Sequence, residues 1–550
     1  MQDNLVEKLK IIIKGDVLSD DQTLSAYSHD ASLFEVKPKV VVLPKDTKDL
    51  KALVKYVNDN KKNNSSLSIT ARSAGTDMGG GSINDSIIVE FGKYFNHTPQ
   101  INDNTATTEP GVFYRDFEKE TLKHNLLFPS YPASREICAM GGILSNNSGG
   151  EKSLQYGKTE KYVKKMKIVL SDGNIYEFKK LSETELKEKM SLKTFEGEIY
   201  KKIYNLIVDN YDEIVKAKPN VTKNSAGYYL WNIYNKEEKT FDLTQLFVGA
   251  QGTLGILVEA DIKLVPIHKH REMMVIFLHD LSRLGEIIDI VLSLKPESFE
   301  SYDDNTLKLS LRYFPEFARQ LGVKGLIQSG IAFLPAFLEM LIGRLPKLIL
   351  QIDFTDNDPM ELQCKILTLR QKIKHLHPQT RTAIDDQEKK YWLIRRESFN
   401  LLRKKIRNKH TAPFIDDFVI DPHLTAEVVP QITSILKKYP QFIFTVAGHV
   451  GNGNFHIIPL VDITNKKARE AIPIIAKQVY DIIAKYHGSI TGEHNDGLIR
   501  TPYLKHMYNH RMITLFEQTK KIFDPDNIFN PRKKVFGDLT YAMNHIRQNW

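Results

Sequence analysis

Only two cysteines, Cys138 and Cys364, occur in 550 residues, so no disulfide framework is available. That scarcity points to a reducing compartment. It also excludes an iron–sulfur cluster held by this chain's own thiolates, which usually takes four. The start, Met1-Gln2-Asp3-Asn4, lacks the basic stretch, apolar core and small-residue cleavage site of a secretory signal. Long apolar runs are missing too. The most apolar region, residues 325–350, is interrupted by Glu339, Arg344, Lys347 and two prolines, so a bilayer-spanning helix is not expected there. We read it as a packed or surface-lying helix, followed by a strand from Leu348 to Phe354. A cytoplasmic protein is expected, with peripheral docking on the inner face of a membrane as the alternative. A one-signed charge is also lacking. The net charge of +9 comes from 76 basic against 67 acidic side chains spread along the chain, which argues against a nucleic-acid partner.

What is abundant is glycine in three places. Ala71-Arg72-Ser73-Ala74-Gly75-Thr76-Asp77-Met78-Gly79-Gly80-Gly81 follows the short apolar strand Leu67–Thr70. Met140-Gly141-Gly142-Ile143-Leu144-Ser145-Asn146-Asn147-Ser148-Gly149-Gly150 is the second, and Gly249-Ala250-Gln251-Gly252-Thr253-Leu254-Gly255-Ile256 the third. Glycine lets backbone N–H groups approach a ligand closely, and successive N–H groups form a nest for an anion such as a pyrophosphate. None of the three is a Gly-x-Gly-x-x-Gly opening a helix, and none carries the Lys-Ser or Lys-Thr of a Walker loop.

A second signal lies near residue 450. Thr445–His449 and Phe455–Ile458 flank a Gly-Asn-Gly-Asn turn, a hairpin pattern. Directly opposed positions in such a hairpin put Cβ atoms about 5 Å apart, so His449 and His456 could share one metal ion. Glu493, in Gly492-Glu493-His494, would supply an anionic third ligand. Histidines capping turns are the alternative for this pair.

In this order, the three loops resemble the FAD-binding domain of the vanillyl-alcohol-oxidase type, also called PCMH-type. From about Pro38 to about Pro531 the chain is similar to FAD-linked 2-hydroxyacid dehydrogenases of the D-lactate and glycolate dehydrogenase group. The resemblance implies an α+β protein: an FAD-binding domain joined to an α+β cap that covers the substrate. The expected division is a helical segment at 1–37 and the FAD domain at 38–267, carrying a charged helical surface insertion at about 179–240. The cap follows at 268–490, and a segment at 491–550 returns to the FAD domain. FAD contacts are implied for Arg72, Ser73, Ala74, Gly75, Thr76, Asp77, Pro132, Gly141, Gly142, Ser145, Asn146, Gly149, Gly252, Gly255, Ile256 and Asn530. Some relatives hold flavin covalently through a histidine in the first loop; this loop has none, so non-covalent FAD is expected.

In metal-dependent relatives the motifs Gly-His-x-Gly-x-Gly-Asn-x-His and Gly-Glu-His supply ligands and base. Carried over, that makes His449, His456 and Glu493 ligands of a divalent ion, zinc or manganese, and His494 the catalytic base with a pKa near neutrality. Tyr391-Trp392-Leu393-Ile394-Arg395-Arg396 resembles the segment whose arginine clamps the substrate carboxylate, here Arg395, with Arg396 the alternative for a surface ion pair. The chain departs from the hydroxyglutarate-handling relatives at Ile415 and Ile458, where they carry lysine and asparagine. Asn452 also replaces an aspartate common in that loop. A monocarboxylate with a small or apolar side chain, such as D-lactate, is therefore the expected substrate. Electrons would leave to an external quinone, cytochrome or partner subunit. Two other readings share the fold: a flavin-dependent transferase like alkyl-dihydroxyacetone-phosphate synthase, and a non-catalytic flavin subunit of an electron-transfer complex.

Overall fold

The computed structural model describes residues 2–306, 308, 345–384, 392 and 409–548. The apolar stretch at 325–344, Arg395 and Arg396 lie outside these described residues. Val40–Leu43 (β1) is apolar and buried at all four positions. Asp46 then accepts from the backbone N–H groups of Lys48 and Asp49 and starts Thr47–Asn60 (α1). Leu50, Leu53, Val54 and Val57 recur at helical spacing and are buried on its inner face. Ile69–Arg72 (β2) and Ile87–Glu90 (β3) complete a parallel sheet in the order β1-β3-β2, with Asp16–Leu18 antiparallel on the β1 edge. The first glycine loop leaves the end of β2. The second begins with a short helix, Met140–Asn146 (α2).

A second, seven-stranded antiparallel sheet is centred on Val163–Val169 (β4) and Ile256–Lys263 (β5). Its Val169, Ile256 and Val258 share a core with β1–β3 and α1. The expected helical insertion is corrected here. Helices Glu183–Ser191, Phe195–Asp209 and Tyr211–Lys216 are present, but Ile175–Ser182, Tyr234–Asn235 and Thr240–Asp242 are strands that widen this sheet. Ile199, Tyr200 and Ile203 bury one helical face against it, so the segment is part of the core rather than a surface addition.

The third sheet is antiparallel throughout. It comprises His270–Leu278 (β6), Ser298–Asp303 (β7), Leu348–Asp356 (β8), Gln379–Ile384 (β9), Phe418–Val419 (β10), Val446–His449 (β11) and Asn454–Ile457 (β12), in the order β9-β6-β8-β7-β11-β12-β10. Beyond residue 490 the chain comes back to the first sheet. Ile69 donates to Ile528 at 2.7 Å and Asn530 donates to Ile69 at 2.8 Å, while Ile528 and Phe529 enter the β1–β3 core. The last helix, Leu539–Asn544, leads into a bridge between Ile546 and Phe34, which docks the tail on residues 33–35. Among the described residues no helix is long and apolar enough to cross a membrane.

Candidate active site

One cavity of about 730 Å³ joins the glycine loops to the cap sheet. Arg72–Asp77, Pro132, Gly141, Gly142, Ser145, Asn146, Gly149, Gly252 and Gly255 line it, together with His449, His456, Glu493 and His494. Two of the implied FAD contacts do not line it. Ile256 turns into the β1–β3 core, because it is the first residue of an inward-facing strand. Asn530 is fully buried behind the loops: its side-chain N–H group donates to Gly81 and Gln251 and its oxygen accepts from Thr70, so it braces two loops from behind.

The lining fits a dinucleotide. Arg72 is half-buried, yet its buried Nη1 has no hydrogen-bond partner, as expected of a cation reserved for an anionic guest. Gly142 sits in α2 with nothing within 4 Å of where a Cβ would be, so the helix presents bare backbone to the cavity. Asp77 holds the first loop closed by accepting from Gly79 and Gly81 and from the Asn146 amide. Burial, and the Asp30 carboxyl beside it, push its pKa up to about 6.

At the other end, the hairpin expectation needs one correction. His456 pairs with Ala447 and His449 with Asn454, so the two histidines are diagonal neighbours on one face, not directly opposed. A 3-10 turn, Val450–Asn452, and Gly453 lengthen the connection. Gly453 has φ +64°, and a Cβ there would lie 1.9 Å from the Ile420 oxygen, so the tight turn admits only glycine. The rings still meet, 5.2 Å between centroids and nearly perpendicular. His449 Nδ1 lies 2.5 Å from Glu300, and His456 Nδ1 lies 3.0 Å from the Asp416 carbonyl. Both Nε2 atoms are thereby turned toward Glu493, at 3.4 and 4.0 Å from its two oxygens. An outer partner on one imidazole nitrogen fixes the tautomer and leaves the other for a cation. One donor atom each from His449, His456 and Glu493 fits within 4.8 Å, a donor set that suits a divalent ion. Asp417, His456 and His494 also cluster. However, Asp417 Oδ2 already accepts from Thr491 and the backbone N–H groups of Glu493 and His494, and Oδ1 from Asn454. That carboxylate is occupied by the fold.

The protonation states follow from the neighbours. Burial alone favours neutral imidazole, and it holds His456 down to about 4, helped by His494 and His449. For His449 burial pulls the same way and Lys223 adds to it, but Glu300 and Glu493 together outweigh them and raise the pKa. Burial opposes ionisation of Glu493, yet Lys223, His449 and His456 together hold its pKa well below the usual range. His494 corrects the expectation of a near-neutral base. Burial would lower its pKa, but Asp417 and Asp416 push it up to about 9. Asp416 Oδ2 lies 2.5 Å from His494 Nδ1, and its other oxygen is paired with the fully buried Arg500.

Several functional side chains escaped the sequence. Glu300 comes from β7, 149 residues before its histidine. Asp416-Asp417 carried a readable signal, two acids between the apolar Phe414-Ile415 and Phe418-Val419. Lys223 and Lys158 carried none, each being one lysine among several in its own neighbourhood. Of the substrate-side departures, Ile458 lines the cavity with Trp392 and Ala447, whereas Ile415 is buried behind it.

Comparison with known proteins agrees with this geometry. The chain is 24% identical to D-2-hydroxyglutarate dehydrogenase of Haemophilus influenzae over 94% of its own length but only 50% of that protein. It thus spans about half the length of the first curated relatives it matches. It is 26% identical to glycolate oxidase subunit GlcD of Bacillus subtilis, covering 97% of each, and 24% identical to D-lactate dehydrogenase of Anaerostipes hadrus, covering 96% of each. The fold resembles p-cresol methylhydroxylase solved with substrate bound (TM-score 0.66, 15% identity, 97% of each chain), which is likeness of fold alone. Residues 38–179 match the family described as FAD binding domain, and residues 267–534 match FAD linked oxidases, C-terminal domain. The chain therefore carries the FAD-binding domain and the C-terminal domain of FAD linked oxidases, on a PCMH-type FAD-binding fold.

Proposed function

We propose that this chain oxidises a 2-hydroxy acid, D-lactate-like in its side chain, to the 2-oxo acid, with non-covalent FAD and a divalent ion held by His449, His456 and Glu493. The single observation that carries the reading is that these three side chains and His494 face the same cavity as the glycine loops. When bound, FAD supplies the two-electron acceptor for the α-hydrogen, and a divalent ion supplies Lewis acidity at the hydroxyl oxygen. The chain's own residues do the rest. His494 takes the hydroxyl proton, held in place by Asp416 at Nδ1 so that Nε2 is the working nitrogen. Its ring stacks 5.1 Å from that of His456, which is itself neutral, so a divalent ion held at His456 would work against the protonation of His494 that Asp416 and Asp417 favour. Arg395 is proposed to pair with the substrate carboxylate through its planar fork. Ile458, Trp392 and Ala447 offer an apolar wall to the substrate side chain, which supports a small or apolar group over a second carboxylate. The two electrons then leave to an external acceptor: a quinone, cytochrome or partner subunit.

Anaerobic mixing with a panel of D- and L-2-hydroxy acids tests this. Bleaching of the flavin band by D-lactate is expected. His494→Ala should keep FAD and lose the bleaching, and His449→Ala should lose the divalent ion as well. A fully active His494→Ala variant removes the mechanism.

A further inference from the structure

The least expected group at the site is Lys223. Its ammonium is 1% exposed and sits 2.5 Å from Glu493 Oε1, with the Gly150 carbonyl at 3.4 Å as its other contact. The same Oε1 is the carboxylate oxygen closest to His449 Nε2, at 3.4 Å. Lys223 therefore touches the oxygen that a cation shared by His449 and Glu493 would need, from a position outside the cavity lining. A second buried lysine, Lys158, stands just behind and is satisfied by Asn224, Ser225 and Gly492. Glu493 thus has a fixed internal cation of its own.

We propose that Lys223 is a built-in competitor for the divalent ion on Glu493, which keeps metal binding weak and exchangeable and holds the ligand carboxylate in place when the ion leaves. The inference rests on reading His449, His456 and Glu493 as metal ligands. Two cations on one buried carboxylate repel each other strongly in a low-dielectric interior, and the carboxylate's charge is divided between them. A buried carboxylate without any cation is costly, so Lys223 also keeps the pocket intact without metal. The two consequences have opposite signs: removing the lysine tightens metal binding and weakens the metal-free protein. A lysine serving only as packing would weaken both forms alike.

The test uses the purified FAD-loaded protein, stripped with a chelator and titrated with Zn2+ or Mn2+ alone against a fluorescent chelator. Wild type, Lys223→Met, Lys223→Gln and Lys223→Arg are compared, with the melting temperature recorded with and without metal. Lys223→Met and Lys223→Gln should bind the ion at least tenfold more tightly and melt lower only when stripped. Lys223→Arg, which keeps the charge, should stay near wild type; Lys223→Gln carries the test if the Met variant does not fold. Equal or weaker affinity in both neutral variants overturns the proposal while leaving the ligand set standing. Failure of wild type and every variant to take up either ion overturns the ligand set and the proposal together. Uptake by the neutral variants alone supports the proposal in its strongest form, with Lys223 displacing the ion altogether.

Discussion

Asp417 accepts the backbone N–H of His494 at 2.7 Å, and the same oxygen accepts that of Glu493 at 2.8 Å. A single carboxylate next to β10 thereby fixes the loop that carries both a candidate ligand and the candidate base. Burial opposes its charge, yet His494, His456 and Arg500 hold its pKa well below the usual carboxylate range. A depressed acid contributes stability that is present above its unfolded pKa, about 3.9, and lost as pH falls toward the folded value. Asp417→Asn should therefore cost about 3 kcal/mol at pH 7. The gap between the two melting temperatures should stay constant above about pH 5 and narrow progressively below about pH 4. Thermal unfolding across that range checks it, and a gap that does not change with pH counts against the charge as the cause.

Gly142 lines the cavity and has open space where a side chain would go. It also lies inside α2, where glycine costs roughly 0.5–1 kcal/mol relative to alanine. Gly142→Leu should fill the cavity without disturbing the fold. The expected result is protein that melts at or above the wild-type apo temperature but purifies colourless, read from the ratio of flavin to protein absorbance. Yellow protein with normal flavin content would show that the dinucleotide lies elsewhere.

How much of this was legible in the sequence depends on range. The glycine loops and the His449–His456 hairpin are local patterns, and their residues could be placed before any fold was known. The parallel unit from β1 to β3 was also readable, because Leu50, Leu53, Val54 and Val57 repeat at helical spacing between two apolar strands. What was hidden is long-range. Glu300 meets His449 only because β7 pairs with β11. Lys223 reaches Glu493 across 270 residues, from a segment whose lysine content marked it as surface. The charged run from Lys179 was read as helical, yet its first residues close the strand Ile175–Ser182, where the buried Phe178 and Leu181 stand three apart, a spacing that fits a helix as well as a strand.

The two cysteines differ enough to be counted separately. Cys138 is 3% exposed at the cavity wall, and burial pushes its thiol up to about 12, so almost no thiolate forms at pH 8. Cys364 is exposed on the helix Pro359–Ile373. Native protein should react rapidly with one equivalent of a thiol reagent, and with two only after denaturation. Cys364→Ser should abolish the fast phase. A fast reaction at Cys138 would mean the cavity wall opens on the labelling timescale.

Asp77 gives FAD binding its own pH dependence. Burial, then the neighbouring Asp30, raise its pKa to about 6, even though the Gly81 N–H, the Asn146 amide and the Gly79 N–H favour the anion. A raised acid contributes stability that is complete below its unfolded value of about 3.9 and lost as pH rises through about 6. Asp77 is thus neutral at pH 5 and negative at pH 8, where it repels a pyrophosphate sharing its cavity. FAD should bind about tenfold more weakly at pH 8 than at pH 5, one pKa unit being worth about 1.4 kcal/mol. Asp77→Asn keeps an oxygen for the Gly79 and Gly81 N–H groups and removes the charge, so its FAD affinity should stay nearly level over the same range. Fluorescence titration of apoprotein with FAD at both pH values measures this. The same slope in Asp77→Asn as in wild type would assign the effect to another group, such as the buried Lys533, whose pKa is lowered to about 7.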